Sequence, residues 1–281
     1  AQLVDDTLSI EYSTNNSPLK FKKLPYYDIN FFQQYRPFGS ARLPIARSGN
    51  LGLPTHSLSA EMQDWDVDFL AGGYQGYLMR KENLRFYKMS RPFTMLRYTN
   101  GAESEQLFNV LHSQNLGEGL NISFEYQKTV SEGFFISQLT NHTQFNATYN
   151  LRSRDERYQS RGYYIINDLE AQENGGIFIV EGEGTEENTA LLNIRLRDAQ
   201  NQIRTQSVGT NNSYALWEKD SSRTLLAVTY DFDWTKAYKR YKDDTTSSGS
   251  AFYEEYNLDL VRSSDSTFAE RFAHHFQLNF F

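Results

Sequence analysis

Several stretches of the chain carry apolar residues at every second position. Leu120, Ile122, Phe124 and Tyr126 interleave with Asn121, Ser123, Glu125 and Gln127, which gives a strand one apolar face and one polar face. Phe145, Ala147, Tyr149 and Leu151 repeat the pattern against Gln144, Asn146, Thr148, Asn150 and Arg152. So do Leu226, Val228, Tyr230, Phe232 and Trp234 against Ala227, Thr229, Asp231 and Asp233, and Phe272, Phe276, Leu278 and Phe280 against His275, Gln277 and Asn279. Weaker candidates are Phe93 to Tyr98, Glu105 to His112, Gly162 to Leu169, Tyr214 to Glu218 and Glu254 to Arg262. The pattern predicts about nine strands, many near the length at which a tilted strand crosses a bilayer. Between them, Asn100-Gly101, Gly117-Glu118-Gly119, Ser131-Glu132-Gly133, Asn174-Gly175-Gly176 and Gly209 to Asn212 read as breakers, the spacing of an antiparallel meander. No stretch carries an apolar stripe of helical period, so helix is expected to be scarce.

The front of the chain reads differently. Residues 1–60 hold Pro18, Pro25, Pro37, Pro44 and Pro54, five of the 6 prolines, and long sheet ladders are not expected there. Yet Tyr26, Tyr27, Phe31, Phe32, Tyr35 and Phe38 make the segment too aromatic for a free linker. The expected division is therefore 1–60, a segment ordered against a barrel lumen or a partner, and 61–281, the strand-rich region.

Composition then narrows the class. The chain has 281 residues, 39% of them hydrophobic, with 20 Phe, 19 Tyr and 3 Trp. Its longest unbroken apolar runs, Tyr163 to Ile166, Ile177 to Val180 and Leu225 to Val228, fall far short of the roughly 18–20 residues of a membrane-spanning helix. Alternating strands are the remaining way for such a chain to cross a bilayer. The polar rows are rich in Asn, Gln, Ser, Thr and Asp, as a wet lumen requires, and Tyr98, Tyr126, Tyr149, Trp217 and Trp234 stand near strand ends, where an aromatic girdle lies. A β-sandwich with Tyr-rich faces is the alternative. A net charge of −7 argues against nucleic acid as a partner. The absence of cysteine excludes disulfides and thiolate chemistry. Ala1-Gln2-Leu3 fits either a mature end left by signal cleavage or a trimmed end.

Chemistry-bearing motifs are few. Residues 162–194 contain Asp168, Glu170, Glu173, Glu181, Glu183, Glu186 and Glu187 and no Lys or Arg. A hard cation such as Ca²⁺ could gather them, but the spacing matches no EF-hand, and a solvated acidic loop is expected. His56, His112, His142, His274 and His275 show no zinc spacing. His112-Ser113 lacks a nucleophile elbow, and neighbours on a strand point to opposite faces. Gly72-Gly73-Tyr74-Gln75-Gly76 lacks the spacing of a dinucleotide loop. Asn121-Ile122-Ser123, Asn141-His142-Thr143 and Asn146-Ala147-Thr148 fit the glycosylation pattern but lie in or beside strands, where amides pair across the sheet. No enzyme, metal or cofactor is expected.

Arg91-Pro92-Phe93-Thr94-Met95-Leu96-Arg97-Tyr98, then His112-Ser113-Gln114-Asn115 with Asn121, Ser131-Glu132-Gly133, Arg157-Tyr158 and Glu173-Asn174-Gly175-Gly176-Ile177 occur in this order. In that order the chain resembles the putative porin family of Bacteroidetes outer membranes, from about Tyr87 to the end and back toward Pro25. The resemblance implies an outer-membrane β-barrel with a cleaved signal sequence. Family members are longer, with further strands after the part resembling Ser263 to Phe281, so it implies the front portion of a larger barrel rather than a small complete one.

The expected fold is thus all-β, an antiparallel meander forming a transmembrane barrel. Glu125, Asn146, Asn150, Arg152, Asp231, Glu255, Asp259, Gln277 and Asn279 are expected to line the pore; this mixture leans acidic and predicts weak cation preference. Leu120, Ile122, Phe124, Tyr126, Leu226, Val228, Tyr230, Phe276, Leu278 and Phe280 are expected to face lipid. The leading function is passive diffusion of small solutes through the bacterial outer membrane. The alternatives are a non-conducting barrel subunit bound to other outer-membrane proteins, and a secreted β-sandwich that binds glycans.

Overall fold

A computed structural model describes residues 10–15, 17–24, 45–58, 67–177, 192–220, 223–244 and 263–280. Eight antiparallel strands form one sheet in strict chain order: β6 (Phe93–Asn100), β7 (Gln106–Asn115), β8 (Leu120–Ser131), β9 (Thr140–Arg152), β10 (Tyr158–Gln172), β11 (Gln200–Asp220), β12 (Arg223–Asp243) and β13 (Ser263–Phe280). The fold is the all-β antiparallel meander that the alternation predicts. The sheet is open, with β6 and β13 at its edges. Strand length grows across it, from 8 residues in β6 to 21 in β11 and β12. Short turns at 116–119 and 153–157 lie at one end of the sheet, the end at which β11 finishes and β12 starts. At the other end, strands are separated by longer stretches of sequence, 132–139 among them.

A second, inner layer comes from the front of the chain. β1 (Ile10–Thr14) pairs with β2 (Ser17–Lys23) and with β5 (Arg85–Met89), while β3 (Ile45–Arg47) pairs with β4 (Thr55–Ser57). These ladders are short, as the prolines require, and Pro18 sits in β2, an edge strand where its missing N–H costs no ladder bond. Two 3-10 segments, Val67–Tyr77 and Lys81–Asn83, lead into β5. The inner layer therefore runs as far as Met89. Tyr26, Tyr27, Phe31, Phe32, Tyr35 and Phe38 lie outside the described residues, as do Glu254 to Arg262. No helix among the described residues is long and apolar enough to cross a membrane.

The core lies between the two layers. Leu51, Ala71, Tyr74, Tyr77 and Leu78 pack on Leu169 and Ala171 of β10 and Ile203 of β11. Leu84 and Phe86 pack on Tyr163 and Ile165, and Tyr87 and Met89 on Leu111 of β7. Beyond the sheet's other face there is no protein layer among the described residues. Leu96, Tyr98, Phe124, Phe272, Phe276, Leu278 and Phe280 stand exposed there.

One expectation fails. Gly209 to Asn212 is not a turn but the middle of β11, paired with Tyr163, Gly162, Arg161 and Ser160. The physical reason is a ring: a Cβ on Gly209 would run into the Tyr163 side chain, so the glycine makes room for an aromatic lying across the strand. Gly162 serves Tyr149 in the same way. Gly209→Val is expected to cost about 1–3 kcal/mol through overpacking, read as a lower denaturant midpoint in detergent micelles. Tyr163→Ala in the same chain should recover part of that loss, because the two changes share one contact.

Candidate functional site

Alternation sorts the side chains of the large sheet into two sets. The face toward the inner layer carries Asn109, Ser113, Asn121, Ser123, Thr129, Ser131, Thr140, His142, Gln144, Asn146, Thr148 and Asn167, all buried. Burying so many polar groups is tolerable only where they find hydrogen bonds, and many of them find the backbone of the inner layer.

β9 shows this most clearly. Successive inward residues of this strand meet successive parts of the inner layer, from the long-connection end toward the short-turn end. The Thr140 hydroxyl donates to the Leu51 carbonyl at 2.6 Å. Nε2 of His142 lies 2.7 Å from the Gly52 carbonyl; because a carbonyl only accepts, that nitrogen carries the proton. The Gln144 amide donates to the Tyr77 carbonyl. Asn146 reaches Met79 Sδ at 3.4 Å, and Thr148 donates to the Arg85 carbonyl at 3.4 Å. Neighbouring strands add Asn50 to Ser131 at 2.9 Å, Leu51 N–H to Glu105 at 2.8 Å and Asn115 to the Met89 carbonyl at 2.6 Å. From β10, Asn167 accepts from the Met79 N–H at 2.8 Å and donates to the Met79 carbonyl at 3.1 Å, with Thr205 as a further acceptor at 2.8 Å.

Gly52 marks the closest approach of the layers. Its φ is +97°, and a Cβ there would stand 2.5 Å from Thr140 Oγ1, so both conformation and space call for glycine. The loop around it is tied by Tyr77, whose hydroxyl accepts from Gly52 N–H and donates to the Leu53 carbonyl, both at 2.9 Å. Burial pushes the Tyr77 hydroxyl well above its ordinary pKa, which keeps that proton in place. Tyr74 is raised likewise, by burial and then by Glu173, to which it donates at 3.3 Å.

A second anchor is ionic. Lys81, in the 3-10 turn before β5, pairs with Asp233 of β12. Asp233 also accepts from the Tyr163 hydroxyl at 2.9 Å, and Arg271 of β13 lies 3.7 Å away. Four segments of the chain thereby meet at one carboxylate.

Of the residues expected to line a pore, Glu125, Asn146, Asn150, Arg152, Asp231, Gln277 and Asn279 all share the inward face, by the register of the ladders. Glu125 accepts from Asn109 at 2.9 Å and from Asn146 at 3.3 Å. Asn150 accepts from Arg161, Arg152 pairs with Glu156, Asp231 accepts from Asn211, and Asn279 donates to Thr229. Glu255 and Asp259 lie outside the described residues. All ten residues expected to face lipid share the outward face. There Tyr230 stacks near Phe276 with centroids 4.6 Å apart, and Trp234 meets Phe272 at 6.4 Å. The acidic cluster does not form a shared site as far as it is described: Asp168 and Glu170 turn outward to Arg204 and Gln202, and 178–191 lie outside the described residues.

Sequence reasoning did not single out Thr140, His142 and Gln144 as docking residues, nor Tyr77, Lys81, Asp233 and Asn167. The available signal was the polar row of β9, which runs uncharged from Thr140 to Asn150 before it reaches Arg152; a row open to water along its length has no need to avoid charge.

An antiparallel meander with a bare apolar face and a polar opposite face is the kind of sheet from which outer-membrane β-barrels are built. The comparisons with known proteins agree: the model of the putative porin family matches residues 26–281, and the chain belongs to that family. Membership implies an outer-membrane location and a porin-like role. No curated protein and no solved structure matches the chain.

Asn167→Leu is expected to leave the Met79 N–H and C=O unpaired, at about 1–3 kcal/mol for each group. Hydrogen exchange should show the Met79 amide losing protection while the β8–β9 ladder keeps its own; unchanged exchange at Met79 would contradict the docking role.

Proposed function

We propose that the protein is a porin of the outer membrane that passes small solutes along the inward face of its sheet, around an inner layer that narrows the lumen. The observation that carries this reading is the pairing of two opposite faces on one sheet. The outward face is apolar and uncovered, and the inward face is polar and partly occupied by the chain's own front segment. The boundary between plug and wall belongs to the proposal: residues 1–60 and their continuation to Met89 act as the plug, and the strands from Phe93 onward as the wall.

Selectivity would follow the charges on the inward face. Among the described residues these are Glu125, Asp231, Asp233, Asp243 and Asp265 against Arg97, Arg152, Arg161, Lys239 and Arg271. The acids expected from sequence are thus matched by cations on the same face, and a pore with this lining discriminates weakly between ions.

A non-conducting barrel subunit of a larger outer-membrane assembly is the second reading. It is favoured by how thoroughly the inner layer is held, through β9, Asn167 and Asp233. Planar bilayers separate the two. A pore gives discrete conductance steps with a reversal potential near zero in a KCl gradient, and Lys81→Gln, by releasing the ionic anchor, raises the conductance or the fraction of time spent open. No steps from either protein, together with stable co-purification of other outer-membrane proteins, would sink the pore reading. Release from membranes by carbonate washing would sink both.

A further inference from the structure

The outward face has a sharp edge. On adjacent strands its apolar band ends at Tyr126, Phe145, Ile166, Val208, Trp234 and Phe272. The next outward positions toward the long connections are Lys128, Thr143, Asp168, Gln206, Lys236 and Glu270. β11, β12 and β13 continue well past this edge, since their 21, 21 and 18 residues exceed the roughly 9–11 that cross a bilayer.

Immediately beyond the edge lies a groove of about 500 Å³, with Ile166, Asp168, Arg204, Lys236, Tyr238 and Phe268 among its lining. Its row nearest the band is Ile166, Gln206 and Lys236 and its farther row Asp168, Arg204, Tyr238 and Phe268, so both rows mix apolar and polar groups. Its acids are already engaged. Asp168 accepts from Arg204 at 2.9 Å, and Glu170 beside it accepts from Gln202 at 2.6 Å. Glu270, opposite Lys236, accepts from the Trp234 indole at 2.7 Å. The cations of β12 are less occupied. Lys236 lies over the Phe268 ring at 5.3 Å. Arg240, two outward positions along, lines the adjoining hollow with Glu170, Gln202 and Lys242; it faces Gln202 on one side and Ser266 on the other and has no ion pair among the described residues. On a chain of net charge −7, two underused cations at the rim of an apolar band point to an anionic group held at a lipid boundary.

We propose that this groove binds a phosphate-bearing lipid headgroup in the leaflet on the long-connection side. Lys236 holds the phosphate from within the groove and Arg240 flanks it from the adjoining hollow, while the acyl chains lie on the apolar band below Trp234 and Phe272. The proposal rests on the reading that the outward face meets lipid, so its test must tell the failure of one from the failure of the other.

The full chain is reconstituted in phosphatidylcholine nanodiscs doped with phosphatidic acid or with diacylglycerol of the same acyl chains, and the retained lipid is read by native mass spectrometry. The expected result is retention of phosphatidic acid but not diacylglycerol, falling roughly tenfold in the Lys236→Gln/Arg240→Gln variant and unchanged in Lys128→Gln, a cation at the same edge on a distant strand. Equal retention of the two lipids, equal loss in both variants, or displacement of phosphatidic acid by inorganic phosphate would each overturn the headgroup site. In parallel, a Trp65→Phe/Trp217→Phe chain keeps Trp234 as its single indole, and brominated phosphatidylcholine tests whether that indole lies against acyl chains. Quenching with no phosphate-dependent retention leaves the outward face in lipid and removes only the site. No quenching removes the lipid-facing reading itself.

Discussion

The arrangement depends on one constraint: buried polar side chains on the inward face of β9 must be satisfied, and the inner layer satisfies them with its backbone. Thr140, His142, Gln144 and Thr148 all turn to main-chain carbonyls, of Leu51, Gly52, Tyr77 and Arg85 in turn. An extended or 3-10 segment has carbonyls that no helix or wide sheet consumes, so it can be held by a wall of donors without a regular ladder. This explains how a segment rich in proline can be firmly placed. Its order is borrowed from the strand it lies on.

Apolar contacts and hydrogen bonds divide the work by strand. β9 contributes polar groups, whereas β7, β10 and β11 offer Leu111, Ile165, Leu169 and Ile203 to the same layer. Because their outward rows are also apolar, β7 and β10 lose the alternation that makes β8 and β9 conspicuous. Tyr163 to Ile166 is the plainest case. Tyr163 and Ile165 are buried under the inner layer, while Tyr164 and Ile166 turn to the uncovered face. A strand covered on both sides reads as a continuous apolar run. A broken alternation in such a sheet is therefore informative, because it marks where a second layer covers the inward face.

Much of the fold was legible because the meander is local: each strand pairs with its neighbour in sequence, and a period of two assigns the faces. Hence the register puts residues that alternate in sequence, such as Asn146 and Ala147, on opposite sides of the sheet. What was not legible depends on contacts far apart in the chain. Lys81 meets Asp233 across 152 positions, and Gln144 meets Tyr77 across 67. No pattern within a strand announces such partners. Gly209 was misread for a related reason, since its role is to lie under Tyr163 of the next strand, and a glycine beside asparagines looks like a turn when that ring is out of view.

The two anchors of the inner layer differ in kind, and the difference bears on function. The β9 contacts are many, buried and mostly neutral, so they are hard to undo singly. The Lys81 and Asp233 contact is ionic and partly exposed, with Lys81 at 31% and Asp233 at 14% side-chain accessibility, and such pairs hold only modestly in water. The inner layer is therefore held to β9 and β10 by many buried polar contacts, and to β12 and β13 by the packing of Leu70 on Ala237 and Ala269 together with this one ionic contact. Releasing Lys81 should thus loosen the side of the inner layer that faces β12 and β13 and leave the β9 side in place.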